Sequence, residues 1–176
     1  MEADRPLFIP VILGTARMGR MSLHAAQLVT GELSKCAGVE TDLIDIAKLP
    51  LPTNDAGEAI KHADFSAKVS RADALVVVSP EYARGYPGFL KNGLDWLVGS
   101  QAVFDRPAAV VTASPGWKGG ELAADGLAAV LTMMGATPLH TLSIGQVVLK
   151  VDGGRVTDDP TLAALSRLAD RLLAGH

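Results

Sequence analysis

The chain predicts an α/β fold: a doubly wound, mainly parallel sheet of five strands with helices on both faces. Two observations carry this expectation. Short apolar runs alternate along the chain with stretches of helical periodicity, in the order βαβαβαβαβα. The runs themselves are continuous Val, Ile, Leu and Ala rather than alternating apolar and polar residues, the pattern of strands buried on both faces beneath connecting helices.

The elements follow in order. Val11-Ile-Leu13 is the first strand and ends at Gly14. Pro10 lies inside the longer run from Leu7 to Leu13, and a proline has no N–H for a central ladder, so the regular ladder is expected to begin at or after it. A helix follows from about Ser22 to Cys36, and Val39 to Ile46 alternates as a second strand. Glu58 to Arg71 reads as the second helix and Ala74 to Ser79 as the third strand. The next helix spans about Pro87 to Val98, with Pro87 in its first turn, where a missing N–H costs nothing. Ala108 to Ala113, a helix from Gly120 to Met134, Pro138 to Leu142 and a last helix near Thr161 to Leu173 complete the series. Between the last two, Val147 to Val156 carries Asp152-Gly153, a hairpin-type turn, and is expected to be a structural extension.

Composition bounds the function. With 48% hydrophobic and 20% charged residues, and no linker or charge block, residues 1–176 are expected to form one domain with a full core. A formal charge of −3 and the absence of a Lys/Arg run exclude nucleic acid as a partner. The amino terminus lacks the organisation of an export signal, and no window approaches the ~18 apolar residues of a membrane span. The expectation is a cytoplasmic protein without a membrane partner. Cys36 is the single cysteine, which excludes an internal disulfide and a thiolate metal cluster; it reads as a small buried hydrophobe late in the first helix. The histidines His24, His62, His140 and His176 have no metal-ligand spacing and read as surface or cap residues, so no metal site is expected.

Two loops carry chemistry. Ser79 to Trp96 follows the third strand and holds Tyr82, Tyr86, Phe89 and Trp96, four of the eight aromatic residues. Flat apolar surface is therefore concentrated at the carboxyl edge of the sheet, where such folds bind ligands, and a planar cofactor is expected. The other loop, Gly14 to Ser22, runs from the first strand into a helix. Free amides and the helix dipole favour an anion there, and Thr15, Arg17, Arg20 and Ser22 add donors. An ordinary turn with Ser22 as N-cap is the competing reading. Arg20 and Met21 stand where a Walker loop needs Lys and Ser or Thr, and no G-x-G-x-x-G is present. A single terminal phosphate, as on the mononucleotide FMN, remains the best fit. No acid/base pair or nucleophilic triad is found.

Gly14-Thr15-x-Arg17 with Ser22, and Ser79-Pro-Glu-Tyr82 followed by Tyr86-Pro-Gly-x-Leu-Lys-Asn-x-Leu-Asp-Trp96, resemble the NADPH-dependent FMN reductase family of flavodoxin-like proteins. The likeness covers nearly the whole chain in element order, and more loosely includes Ala113 to Gly120. It implies that Thr15, Arg17 and Ser22 hold the FMN phosphate, with Arg20 sharing or taking over a contact because Ser22 stands later after Arg17 than the family's serine commonly does. Pro80, Glu81 and Tyr82 would line the isoalloxazine, partly through backbone groups, and Ser114 and Gly116 would approach the same ring. The family often has Asn after Pro-Glu-Tyr; here Ala83 and then Arg84 follow, so only the backbone of Ala83 carries over. The implied cofactors are FMN with NADPH or NADH, hydride passing from nicotinamide to flavin and on to a small acceptor: flavin, quinone, azo or nitro compound, or metal oxyanion. The cofactor carries the difficult step, so no catalytic side chain is expected. Amides from Glu81 to Ala83 and from Ser114 to Gly116 would stabilise the charge gained on reduction. A Glu81 carboxylate beside that charge would oppose it unless turned away. Trp117 reads either as a lid or as a subunit contact. The resemblance implies a homodimer or homotetramer; an apolar helix bearing Phe89, Leu90, Leu94, Trp96 and Leu97 fits a subunit contact, or equally a helix covered within one subunit. A non-enzymatic flavin carrier or electron-transfer protein is the competing class.

Overall fold

The computed structural model describes residues 5–15, 21–47, 49–52, 63–152 and 155–175. In chain order the strands and helices are β1 (Leu7–Phe8), β2 (Val11–Leu13), α1 (Met21–Leu33), β3 (Val39–Glu40), β4 (Leu43–Asp45), α2 (Ala63–Ser70), β5 (Leu75–Ser79) and α3 (Gly88–Asp95). They continue as β6 (Pro107–Ala113), α4 (Glu121–Met133), β7 (Thr137–Ile144), α5 (Val147–Lys150), β8 (Val151–Asp152), β9 (Arg155–Val156) and α6 (Asp159–Ala174).

Five strands form a parallel sheet in the order β4-β2-β5-β6-β7, and β1 pairs in parallel with β3 just ahead of β2 and β4. Taken as chain segments the order is 2-1-3-4-5, the flavodoxin-like arrangement. The direction of winding reverses between β2 and β5, so a crevice opens outside their carboxyl ends.

Pro10 interrupts the first segment as expected, and the hydrogen bonds show why it is tolerated. Leu7, Ile9 and Val11 donate to Gly38, Glu40 and Asp42, each at 2.8 Å, whereas the alternate residues face β5. There the Phe8 amide donates to the Asp73 carboxylate at 2.8 Å, and Pro10 has no amide to leave orphaned. Regular pairing with β5 starts at Val11 opposite Val76.

The sheet divides the core into two layers. Val11, Leu13, Val76, Val78, Ala109 and Val111 face α1 and α6. Ile12, Leu75, Val77, Ala108 and Val110 face α2, α3 and α4. Strands buried on both faces are the reason these runs lack alternation. Leu90, Leu94 and Leu97 are at most 1% exposed, so the apolar helix singled out in the sequence is covered within the subunit. Among the described residues no helix is long and apolar enough to cross a membrane.

Several boundaries differ from expectation for local reasons. Helix α1 ends at Leu33, before the turn closed by Gly38 at φ +74°, so Cys36 lies beyond the helix and is half-buried rather than buried. Pro87 is the N-cap of α3, extended at ψ 142°, and the helix begins one residue later. Strand β7 is longer than expected at both ends; its Pro138 sits at the sheet's edge, where the register shifts between Ala108 and Ala109, and both features excuse a missing donor. His140 is consequently a half-buried strand residue and not a cap, while His62 and His176 lie outside the described residues. Glu58, the expected start of α2, also lies outside them. Helix α6 starts earlier than Thr161 because Asp158 caps it, accepting from the Thr161 amide at 2.9 Å and from the Thr161 hydroxyl. The segments flanking the expected Asp152-Gly153 turn pair antiparallel as β8 and β9, preceded by the unforeseen α5; Gly153 and Gly154 lie outside the described residues.

Candidate active site

Between β2 and β5 the chain needs a residue without a side chain. The Gly14 amide donates to the Val78 carbonyl at 2.7 Å, and a Cβ on Gly14 would lie 2.6 Å from that oxygen and 2.8 Å from a Leu90 methyl. Glycine thus lets the end of β2 lie against the end of β5. Beyond it Thr15 is buried at 4% exposure and Ser22 at 2%. Ser22 is in the first turn of α1 and lines a cavity of about 120 Å³; its hydroxyl makes no hydrogen bond to the described residues. A hydroxyl at a helix N-terminus suits an incoming anion. Arg17 and Arg20 lie outside the described residues.

The second wall is the bend after β5. Ser79 turns its hydroxyl onto the Pro80 carbonyl at 2.8 Å, and Pro80, Glu81 and Tyr82 line the same cavity. Tyr82 and Gly85 exchange two backbone bonds, at 2.7 and 3.0 Å, around Ala83 at φ +50° and Arg84 at φ +64°. Two successive left-handed residues in a closed two-residue turn give a type I′ shape. Tyr82 is left 38% exposed at the cleft. Its amide is engaged by Gly85, so within this bend the amides without an acceptor among the described residues are those of Glu81, Ala83 and Arg84. The Glu81 carboxylate reaches to α4, accepting from the Ala123 amide at 3.2 Å; it is turned to the helix.

Ala113, Ser114 and Pro115, at the end of β6, form the third wall. The Ser114 amide donates to Ile144 at 3.1 Å, and the Gly116 amide donates to the Ser114 hydroxyl oxygen at 3.0 Å. Both expected amide donors are therefore engaged within the protein, and Gly116 is off the cavity wall. The Ser114 O–H remains available to donate. This loop is held rigidly, since Val147 and Gln146 donate to the Ser114 and Gly116 carbonyls at 3.2 and 3.0 Å. Trp117 stands on it 84% exposed.

The structure brings Ser22, Pro80, Glu81, Tyr82 and Ser114 together around one cavity and leaves the side chain of Ala83 exposed beside it. Three wall residues were not expected: Met21, Ala113 and Pro115. Met21 had position alone, next to Ser22; Ala113 and Pro115 lie in the loosely matching stretch Ala113 to Gly120 at the end of an apolar strand. The cavity is smaller than the ~300 Å³ of a usual ligand site, and residues 16–20, which join Thr15 to Met21, lie outside the described residues. A larger cavity, about 380 Å³, opens at the opposite edge of the sheet beside Arg5, Asp73 and Arg106. There Arg5 pairs with Asp73 through two 2.7 Å bonds, a contact that fastens the start of β1. Ligands of doubly wound sheets bind outside the carboxyl ends of the strands, which favours the smaller cleft.

The residues present fit a phosphate-bearing planar molecule: a hydroxyl at the α1 terminus beside a flat wall of proline and tyrosine. In the motif following that wall, Asn92 donates to the Leu49 and Pro50 carbonyls at 3.1 and 2.9 Å. The Trp96 indole donates to Pro50 at 2.8 Å. These two residues pin a loop and do not line the cavity.

Comparison with known proteins agrees with this fold. Residues 8–148 match the NADPH-dependent FMN reductase family. A quinone reductase of Escherichia coli strain K12 is 30% identical over 173 residues, covering 91% of this chain and 90% of that protein. A 2-hydroxy-1,4-benzoquinone reductase of a Burkholderia species is 33% identical over 119 residues, 62% of each protein. The probable NADPH:quinone oxidoreductase 1 of Oryza sativa subsp. japonica is 38% identical over 128 residues, 67% of this chain and 64% of the rice protein. The chain thus spans less than two thirds of the length of the latter two relatives. Among solved structures, the flavoenzyme NAD(P)H:(acceptor) oxidoreductase FerB of Paracoccus denitrificans superposes with a TM-score of 0.79 at 25% identity, covering 96% of each chain. An azoreductase of Bacillus anthracis str. Sterne, at 15% identity and a TM-score of 0.70 over 96% of this chain and 98% of that one, shares the fold. Matched over residues 8–148, from β1 into α5, this chain belongs to the NADPH-dependent FMN reductase family.

Proposed function

We propose that the protein is an FMN-dependent NAD(P)H oxidoreductase that passes electrons to a small planar acceptor, with quinones and flavins the favoured classes. The observation that carries this reading is the placement of Ser22, a residue 2% exposed at the head of α1, in the same cleft wall as Pro80 and Tyr82. FMN supplies the hydride chemistry when bound. Thr15, Ser22 and the leading amides of α1 hold the phosphate, and Arg17 and Arg20 add charge. Pro80 and Tyr82 bound the ring. The Glu81 and Ala83 amides and the Ser114 hydroxyl supply polar contacts without a full countercharge. The chain's work is orientation and exclusion of water, which is why no proton-transferring pair is needed. The names of the quinone reductase relatives support the acceptor class.

The same proposal takes residues 1–176 as one domain that acts in the cytoplasm, a reducing compartment suited to the lone Cys36 thiol. It also includes self-association as a dimer or tetramer. Val98, Phe104 and Met133, exposed by 59%, 53% and 87%, support an apolar contact surface.

FMN titration of purified protein tests the site. Ser22→Ala is expected to weaken FMN by about 1 kcal/mol, and Arg17→Ala by about 1 to 3 kcal/mol, the range for charge-assisted contacts. Undiminished affinity in both variants would contradict the placement of the phosphate.

A further inference from the structure

Helix α4 begins with a defect that another part of the chain repairs. Its N-cap, Gly120, is left-handed at φ +94° and has no side chain to accept from the first-turn amides. A side chain is disfavoured there, both by the left-handed φ and because a Cβ on Gly120 would lie 3.2 Å from the Glu81 Cβ and 3.2 Å from the Thr112 Cβ, a tight fit on each side. The acceptor comes instead from Glu81, whose carboxylate takes the Ala123 amide at 3.2 Å. Negative charge is favourable at that end of a helix. Glu81 is also the middle residue of the Pro80-Glu-Tyr82 wall, and Gly120 closes the loop that begins with the Ser114 wall. One side chain therefore ties the bend after β5 to the helix that follows β6.

The geometry points to Glu81 as a positioning residue that clamps the ring-binding bend to the amino end of α4 and so preorganises the flavin site; its link to flavin rests on the function proposed above. The bond fixes two walls of the cleft relative to each other and draws the carboxylate away from the ring position. The bend is strained by its two left-handed residues, so an anchor outside the turn is needed to hold it. Glu81 acts through the backbone it holds, and its side chain is not assigned a contact with substrate or cofactor.

Glu81→Ala and Glu81→Gln separate this role from alternatives, because glutamine keeps an accepting oxygen at nearly the same reach. Amide hydrogen exchange is read on FMN-free protein and FMN affinity on the same preparations. Loss of the cap in Glu81→Ala is expected to speed exchange at Ala123 about fivefold and to weaken FMN about 5- to 30-fold, both recovered in Glu81→Gln. Unchanged exchange at Ala123 in Glu81→Ala would overturn the clamp whatever the flavin result. Faster exchange with unchanged FMN affinity would overturn the positioning role and leave a helix cap only. If FMN-free protein shows the expected exchange pattern while the wild type binds no FMN, the failure lies with the flavin reading, and the flavin part of this inference falls with it.

Discussion

Ala83 and Arg84 adopt the left-handed backbone at φ +50° and +64°, a conformation that costs a residue with a Cβ roughly 1 kcal/mol or more. Asparagine tolerates it through local hydrogen bonding. Ala83→Asn is accordingly expected to stabilise the protein by about 0.5 to 1 kcal/mol, a rise of about 1 to 4 °C in Tm at this chain length. A calorimetric scan showing a fall would contradict the strain. The departure from Asn at position 83 was legible in the sequence, but the strain was not, because backbone sign depends on the closed turn between Tyr82 and Gly85. The direction of the Glu81 side chain was likewise left open by residue type. Its partner, Ala123, lies 42 positions away, and no local pattern connects them.

Strands and helices were legible wherever burial wrote a period into the chain: β5 and β6 as unbroken apolar runs, α4 and α6 as helical stripes. The four-residue α5 is too short to carry a period. The packing of one loop against another was also invisible. Gly119, at φ +63°, lies so close to the end of β7 that a Cβ would come within 2.6 Å of the Gly145 nitrogen and the Ser143 carbonyl carbon. These are backbone atoms that cannot rotate away. Gly119→Ala is therefore expected to cost about 2 kcal/mol or more, combining overpacking with a disfavoured φ, and to loosen FMN by displacing the Ser114 wall. Thermal unfolding at wild-type Tm with unaltered FMN affinity would show that the interlock is softer than the distances imply.

At the scale of the molecule, alternating apolar runs and helices specify a doubly wound parallel sheet, whereas the order 2-1-3-4-5, which puts the crevice between β2 and β5, is set by tertiary pairing. The alternation of apolar runs cannot say which helix edge remains uncovered. The exposed Val98, Phe104 and Met133 lie around the end of α3 and α4, beyond the leucines that the sequence singled out. Stability should also carry a signature of His140. Burial first, then the Arg171 and Arg167 guanidinium groups of α6, hold its pKa below the ordinary 6.5. The folded state thus favours the neutral ring, and its contribution is complete above 6.5 and is lost as pH falls below that value toward the folded pKa. His140→Gln is expected to flatten the acid side of a denaturation-midpoint series between about pH 8 and 5. Equal slopes in variant and wild type would contradict that assignment.

The account's central claim is that the crevice between β2 and β5 binds FMN where NAD(P)H can reach it. Its most direct test is the absorption spectrum of FMN-reconstituted protein before and after anaerobic addition of NADPH or NADH. The account predicts a protein-bound yellow chromophore that bleaches rapidly and recovers on adding a quinone. A protein that retains no flavin would contradict the site, and bound flavin that stays yellow with both nucleotides would contradict the enzyme and leave a flavin carrier.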